Sequence, residues 1–403
     1  MLKYDLLLKG GEVIDPAQGL RAVRDVAFSD GKVASVEAGI PVGEAREVID
    51  VTGKLVTPGL VDIHGHYFNH FFSSATDADD ACLPTGVTTS VDAGSSGWLH
   101  FDAFKEYILS KQETRLYALI NLSAMGMYSM GGDFGPTIGI GGGPQTLLPD
   151  RQIGELQDLR YAQVQPAVDC IKDNANVALG VKVRIDTRIS GEANSIPCLE
   201  RGRQVADLAD SFMMVHVART PIPLAKVLEY LRPGDIVTHC FHSAENNVLD
   251  VQGNIRPEVL EARDKGILMD VGAVRYNFGV EVSRAAIEQG FPPDTLGTDM
   301  SRRPDGEPIA YSVPDLMSMY MGLGMTLDEV VAAATSNGAR AIGQQGTLGT
   351  LKPGAAGDAA VLEMEKGEFK YDDAEGALVK CSRRVNPVMT IVGGRRWQRA
   401  SDD

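Results

Sequence analysis

The run LVDIHGHYFNHFF, residues 60–72, ends a short apolar stretch with three of the seven histidines of the chain. His64 and His66 stand two positions apart, and side chains two apart on a β-strand point to the same face. His70 comes after the apolar run has ended. We therefore predict a strand that ends in a pair of imidazoles aimed at one place, with His70 on the loop beyond it.

Seven further apolar runs follow this strand, and stretches with apolar residues at helical spacing separate them. They read GVTTSVDAG (86–94), LYALINLSA (116–124), VALGVKVRI (177–185), FMMVHVA (212–218), DIVTHCFH (235–242), GILMDVGA (266–273) and DTLGTDM (294–300). Eight strands that alternate with helices are typical of a (β/α)8 TIM-like barrel. A doubly wound open sheet is the alternative, but the glycine-rich phosphate loop after its first strand is absent.

The two ends of the chain share a different texture, with short strand runs joined by glycine turns. We predict that residues 1–57 and 351–403 pair into a small β-sandwich outside the barrel. The barrel itself then takes residues 58–350. A glycine-rich loop, residues 126–150, is expected to be functional or mobile, because such long loops are unusual in compact domains.

Composition and charge exclude several classes of protein. Hydrophobic residues make up 44% and charged residues 23%, which indicates an ordinary globular chain. The net charge of −16 argues against a nucleic-acid partner, because phosphate contacts need Lys and Arg. Charged residues interrupt the first apolar run, and no window reaches the length of a membrane span. Five scattered cysteines predict reduced thiols. We expect a cytoplasmic homo-oligomer without a membrane partner.

Active sites of such barrels lie at the carboxyl ends of the strands. Six polar residues stand there in this sequence: His64, His66, Lys182, His216, His239 and Asp299. An unpaired ammonium in a buried strand is very costly, so Lys182 must be neutralised, paired or chemically modified. A single histidine often only fills a core, but four at predicted strand ends indicate a metal site. Imidazole and carboxylate ligands suit zinc.

The run VTPGLVDIHGH, residues 56–66, resembles the first strand of the amidohydrolase superfamily, with its His-x-His pair. DVAFSDGKVASV and GTLKPGAAGDAAVLEM resemble the β-sandwich segments of that superfamily, and LGVKVRI, VHV, THCFH and GTDM resemble its other metal-binding strand ends. The resemblance spans almost the whole chain. The stretches KVR, HCF and MGLGMTLDEVVAAATSNGARAIG are most similar to the amidohydrolase/deacetylase, or dihydroorotase-like, branch.

This resemblance implies a centre with two divalent metal ions. The implied ligands are His64, His66 and Asp299 for one metal, His216 and His239 for the other, and a carboxylated Lys182 that bridges both. Zinc is the expected metal, although manganese, iron or cobalt suits the same ligands. Two metals would hold a bridging hydroxide near neutral pH and polarise the substrate carbonyl. Asp299 would accept the proton of the attacking water and pass it to the leaving group.

Five further residues are candidates for substrate binding: Arg184, Arg219, His242, Arg275 and Tyr276. Arg184 shares the strand face of Lys182, and Arg219 could hold a carboxylate through two hydrogen bonds. A supporting ion pair is the alternative for each arginine. His242 is either a substrate donor or a support for a metal ligand. DVGAVRYNFGVEV departs from the Gly-His-Gly pattern of the branch, and we expect its Arg275 and Tyr276 to bind an anionic or aromatic part of the substrate.

The sequence therefore predicts a metal-dependent hydrolase that cleaves an amide or ester acyl bond of a small molecule, such as an N-acyl amino acid or an acylated hydroxy acid. A cyclic amidohydrolase that opens a dihydroorotate or hydantoin ring is the alternative. A non-catalytic scaffold is a third reading, which the complete set of six implied ligands disfavours.

Overall fold

The structure is a computed structural model that describes residues 2–72, 74–127, 154–302 and 309–399. The predicted glycine-rich loop, residues 126–150, lies outside these ranges from residue 128 onward. No helix in the described ranges is long and apolar enough to cross a membrane. All five cysteines are free thiols, as the sequence predicts.

The described chain contains fifteen strands and ten α-helices. The strands are β1 Tyr4–Asp15, β2 Leu20–Ser29, β3 Lys32–Glu37, β4 Ala45–Asp50, β5 Leu55–Pro58, β6 Leu60–Gly65, β7 Val87–Asp92, β8 Arg115–Asn121, β9 Ala178–Arg184, β10 Phe212–His216, β11 Ile236–Thr238, β12 Leu268–Asp270, β13 Ala359–Asp372, β14 Leu378–Val392 and β15 Arg395–Arg396. The helices are α1 Ala78–Cys82, α2 Phe101–Tyr107, α3 Val164–Asp173, α4 Gly191–Ala209, α5 Leu224–Leu228, α6 Pro257–Asp264, α7 Val280–Glu288, α8 Val313–Leu323, α9 Leu327–Ala333 and α10 Ser336–Ala341.

Strands β6 to β12 form a parallel sheet whose spatial order follows the chain. Every residue of β6 and β7 is buried, as expected for parallel strands that are covered on both faces. Helix α4 packs on β9 and β10. A Cβ on Gly202 of this helix would lie 2.4 Å from Val183 Cγ2, so glycine lets the helix approach the sheet closely. These strand–helix units confirm the mixed α/β class.

The predicted eighth strand, residues 294–300, is not a regular strand, yet it touches both edges of the parallel sheet. Its Thr295 bridges Asp270 of β12, and its Met300 bridges Gly65 of β6. Asp299 has a φ of +55°, which interrupts the extended backbone just before the second bridge. The sheet is therefore curled, and this irregular segment links its two edges.

The two ends of the chain pair in one mixed sheet of eight strands, in which β4 pairs with β1 beside the order β15-β14-β13-β5-β1-β2-β3. The pairing of β13 with β5 is antiparallel and joins the C-terminal segment to the N-terminal one. The structure thus brings the two ends together as the sequence predicts. A sandwich of two packed sheets and the domain limits 1–57, 351–403 and 58–350 stay predictions.

Candidate metal centre

The six predicted metal-binding residues come together at the carboxyl ends of the parallel strands, and all are buried. The imidazole of His239 is the middle of the group. Its ring centroid lies 4.8 Å from that of His64 and 4.4 Å from that of His216. Lys182 Nζ lies 3.1 Å from His64 Nε2. His70, which the sequence groups with the first pair, is exposed on the loop after β6.

Asp299 faces three of the imidazoles. Its Oδ1 lies 2.8 Å from His66 Nε2 and 3.4 Å from His64 Nε2, and its Oδ2 lies 3.9 Å from His239 Nε2. One ligand atom from each of His64, His239 and Asp299 lies within 4.8 Å of the other two, which is close enough for one metal ion. The structure thus groups His239 with His64 and Asp299, whereas the resemblance assigns His239 to the second metal.

Hydrogen bonds at the far side of two imidazoles orient these rings. His64 Nδ1 lies 2.8 Å from Thr238 Oγ1, and Thr238 donates to Asp270 Oδ2 at 2.7 Å. His239 Nδ1 lies 2.8 Å from the carbonyl oxygen of Gly272, which can only accept. Both rings are therefore protonated at Nδ1, and the lone pair of each Nε2 faces the centre.

Unusual backbone conformations help to place the site residues. His239 and Asp299 have φ values of +66° and +55°, which cost energy in non-glycine residues and often occur at functional sites. Two glycines leave room for the ligands. A Cβ on Gly272 would lie 2.4 Å from His239 Nδ1, and one on Gly94, whose φ is +89°, would lie 2.8 Å from Lys182 Cβ.

Burial changes the charges of the group. It lowers the pKa of Lys182 to about 7, against the opposing charge of Asp299, so neutral amine is present near neutral pH. It also lowers the pKa of His64 to about 4 and those of His216 and His239 well below the usual range. Burial opposes the ionisation of Asp299, but the neighbouring imidazoles hold its pKa well below the ordinary value.

These residues suit divalent metal ions. Neutral imidazoles and an ionised carboxylate are the protonation states that bind metals. His216 Nε2 is buried and has no hydrogen-bond partner among the described residues, although an isolated buried polar atom is costly. A metal ion near His239 would satisfy it.

The centre lies in a cavity that is partly open to solvent. Three of the five predicted substrate residues line it, namely Arg184, Arg219 and Tyr276. Arg184 forms a buried ion pair with Glu155 at 2.6 Å. Arg219 Nε lies 3.3 Å from Asp186 Oδ2. Both arginines thus carry the ion pairs that the sequence leaves open as alternatives to substrate binding.

The other two predicted substrate residues are not among the described residues that line this cavity. His242 is buried, and burial lowers its pKa to about 4. Arg275 forms an ion pair with Asp372, at the end of β13, and both side chains are partly exposed. Arg275 is therefore engaged with the sheet of the chain ends.

Sequence reasoning missed four polar residues of the site, one of which is Asp186, which lines the cavity and pairs with Arg219. Asn277 lines the cavity, with Nδ2 3.5 Å from Asp299 Oδ2. Thr238 and Asp270 support His64 from behind. Thr238 and Asp270 stand at predicted strand ends, in THCFH and LMD. Their positions could have indicated a role in the site, but Thr and Asp are common at strand ends. Asn277 lies on a loop and gave no such signal.

Comparison with known proteins finds enzymes that resemble this chain in sequence and in fold. The sequence profile of the amidohydrolase family matches residues 275–397. A deacetylase of Agrobacterium fabrum is 28% identical over 364 residues, which cover 90% of this chain and 84% of that protein. A deacetylase of Enterococcus faecalis is 26% identical over 98% of this chain and 99% of its own. A crystal structure of an adenine deaminase has a TM-score of 0.86 at 26% identity and covers 98% of this chain and 100% of its own.

The fold and the site define a hydrolase of the amidohydrolase type that acts on carbon–nitrogen bonds. Over most of its length the chain resembles enzymes of the amidohydrolase superfamily, and its curled parallel sheet of seven strands corresponds to part of the TIM-like barrel that these relatives imply. The predicted superfamily and enzyme class are thus confirmed, and the scaffold alternative is set aside.

Proposed function

We propose that this chain is a binuclear metal hydrolase that removes an acyl group from a small carboxylic acid, of the N-acyl amino acid or acylated hydroxy acid type. One observation carries the proposal: all six residues of the implied ligand set meet in one buried group that faces an open cavity. The similarity to two deacetylases over most of the chain supports an acyl substrate. Self-association and a cytoplasmic location stay predictions.

The proposed ligands are those that the sequence names. His64, His66 and Asp299 would hold one ion, His216 and His239 would hold the other, and a carboxylated Lys182 would bridge both. The lowered pKa of Lys182 supports this modification, because only a neutral amine attacks carbon dioxide. The product is an anion, which two cations would compensate. Zinc suits this ligand set.

When bound, the two ions supply an activated water and polarise the acyl carbonyl. Asp299 takes the proton of that water on a carboxylate oxygen and gives it to the leaving nitrogen or oxygen. The hydrogen bonds behind His64 and His239 keep both Nε2 lone pairs directed at the centre.

We propose that Arg219 and Tyr276 contact the substrate in this cavity, because both line it. Arg184 and His242 would stabilise the metal centre. Arg184 would do so through its ion pair with Glu155. We also propose that Arg275, which pairs with Asp372, binds the acidic part of a substrate that extends beyond the described lining of the cavity.

Opening of a cyclic amide is the second candidate. A dihydroorotase of Citrifermentans bemidjiense is 33% identical over 32% of this chain, and a crystal structure of a dihydroorotase has a TM-score of 0.81 at 25% identity. The dihydroorotase structure also covers 97% of this chain, but among the sequence relatives the deacetylases match a much larger part of the chain than the dihydroorotase does, so the acyclic acyl substrate is preferred.

The test is elemental analysis of protein purified with zinc and bicarbonate, together with a hydrolysis screen. The screen contains N-acyl amino acids, O-acyl hydroxy acids and ring imides. We expect two metals per chain and turnover of acyclic acyl compounds. Turnover of ring imides alone would establish the second candidate, and protein without metal would reject the centre.

A matched pair of variants ties the activity to the site. His216→Ala removes a proposed ligand, whereas His70→Ala removes an exposed histidine of the loop after β6. We expect the first to lower both metal content and turnover and the second to change neither. Equal behaviour of the two variants would contradict the proposed ligand set.

A further inference from the structure

Asn277 is a buried amide beside the reacting groups. It lies on the loop between β12 and α7 and lines the cavity together with Asp299 and Tyr276. Its side chain is 7% exposed. Neither the metal ligands nor the proton transfer proposed for Asp299 requires an amide at this position, so its role is open.

The neighbouring carboxylate sets the orientation of this amide. Asn277 Nδ2 lies 3.5 Å from Asp299 Oδ2. An ionised carboxylate only accepts hydrogen bonds, so the NH2 group must face it and the amide oxygen must point away. That oxygen, Oδ1, is buried and has no hydrogen-bond partner within the described part of the chain. A buried acceptor without a partner costs free energy unless a ligand provides the donor.

The backbone holds this acceptor in place. Asn277 N donates to Val274 O at 2.8 Å, which closes a tight turn. On one side of the turn, Ala273 N donates to Gly297 O at 2.9 Å, and on the other, Gly279 N donates to Phe241 O at 3.0 Å. A turn fixed in this way holds the backbone position from which the Asn277 side chain extends, which favours selective recognition.

We propose that Asn277 Oδ1 accepts a hydrogen bond from the N–H of the scissile secondary amide and so makes the enzyme selective for amides over esters. This inference rests on the proposed function and narrows its substrate class. An ester carries an oxygen where the amide carries N–H. Two acceptors would then face each other, and Asn277 Oδ1 would stay unpaired in the bound state.

The position beside Asp299 suits this role. The leaving nitrogen receives its proton from the Asp299 carboxylate, and Asn277 contacts that same carboxylate through Nδ2. A nitrogen within reach of Asp299 therefore lies beside the amide of Asn277 as well. Asn277 thus acts as a specificity-determining residue that also positions the leaving group.

The experiment compares Asn277→Leu with the wild type on isosteric substrate pairs. The pairs are N-acetylalanine with O-acetyllactate and N-acetylphenylalanine with O-acetylphenyllactate, whose members differ by N–H against oxygen. We expect kcat/KM for the amides to fall about 10- to 100-fold, the range that loss of one such hydrogen bond produces. The kcat/KM for the esters should fall much less than that for the amides, and metal content should remain near the wild-type value.

Asn337→Leu is the matched control. Its side-chain amide donates to Asp294 O, at the far end of the segment that carries Asp299, and Asn337 is not among the described residues that line the cavity. This variant should keep the amide-to-ester ratio of the wild type. Ester turnover by Asn277→Leu serves as proof that this variant is folded and loaded with metal.

Three results would overturn the inference. An unchanged ratio of kcat/KM for amides to kcat/KM for esters in Asn277→Leu would show that Oδ1 recognises no N–H group of the substrate. An equal loss on amides and esters would show that Asn277 acts only through Asp299. A loss of metal would assign the residue to the metal centre. If the metal-loaded wild type hydrolyses neither member of either pair, the proposed function itself fails, and the inference fails with it.

Discussion

Asp270, at the end of β12, accepts hydrogen bonds from four groups. Oδ2 receives Thr238 Oγ1 at 2.7 Å and lies 3.4 Å from His64 Nδ1. Oδ1 receives Thr295 Oγ1 at 2.8 Å and Gly297 N at 2.9 Å. This fully buried carboxylate therefore supports a proposed metal ligand with one oxygen and the irregular eighth segment with the other.

Replacement of Asp270 by asparagine keeps the shape but exchanges one acceptor for a donor. The amide oxygen must stay with Gly297, because a backbone N–H cannot become an acceptor. The NH2 group then faces Thr238, whose hydroxyl must turn to accept from it. A turned hydroxyl donates to His64 Nδ1 instead, which moves the ring proton to Nε2, on the metal side.

The expected cost follows from this reversal. We predict that Asp270→Asn weakens metal binding about 10- to 100-fold, the usual effect of losing a group that orients a ligand, which equals about 1.4–2.8 kcal/mol. Zinc affinity is measured by competition with a chromogenic chelator. Thermal unfolding of the metal-free protein is followed in parallel, to separate loss of affinity from loss of fold.

Asp294→Asn is the control for this experiment. It makes the same change at the other end of the segment, where Asp294 Oδ2 accepts from Met269 N at 2.8 Å. We expect this variant to lose some stability and to keep its affinity for zinc. Wild-type affinity in Asp270→Asn would refute the proposed chain of hydrogen bonds from Asp270 through Thr238 to His64.

Four further predictions concern the centre and its surroundings. Lys182→Met should lower the metal content measured by elemental analysis below that of the wild type, because the bridge is lost; two metals in the variant would refute the bridge. Removal of metal by chelation should lower Tm, since ions at 100 times their Kd stabilise the folded state by about 2.7 kcal/mol, and an unchanged Tm would contradict a bound metal. Arg275→Ala should lower the free energy of unfolding in urea by less than about 1 kcal/mol, because the ion pair of Arg275 with Asp372 is partly exposed. The same variant should raise KM for acidic substrates, and an unchanged KM would exclude substrate binding by Arg275. Gly94→Ala should lose about 1–3 kcal/mol more stability than Gly53→Ala. Both glycines have a positive φ, but only at Gly94 would the added Cβ clash with Lys182, so equal losses would refute the clash.

The ligand positions could be predicted because their signals are local. His64 and His66 share a face through the two-residue period of a strand, and strand ends in parallel sheets meet at one edge. Residue type and position on a run were enough to select these side chains from the sequence. The same reasoning placed Lys182, which is too costly in a buried strand without a special role.

The irregular backbone of the eighth segment could not be predicted, because no local signal in the sequence marks it. DTLGTDM has the apolar pattern of a strand, but Asp299 adopts a φ of +55°. A positive φ at a non-glycine residue is uncommon and leaves no mark in the sequence. Hydrogen bonds from this segment to the two edges of the sheet hold Asp299 in this conformation. At one edge, Met300 N donates to His64 O at 3.2 Å.

The sequence alone thus predicted which side chains come together and at which edge of the sheet they lie. The tertiary structure settled which contacts the other polar residues make. Thr238 lies 174 positions from His64, and Asp372 lies 97 positions from Arg275, so no local pattern announces either pair. The guanidinium of Arg275 could pair with a substrate carboxylate or with a carboxylate of its own chain through the same chemistry. Only the position of Asp372 in the folded chain shows that the second pair forms. For Asn277, only the fold shows that its amide nitrogen faces Asp299 and its oxygen is left for a ligand.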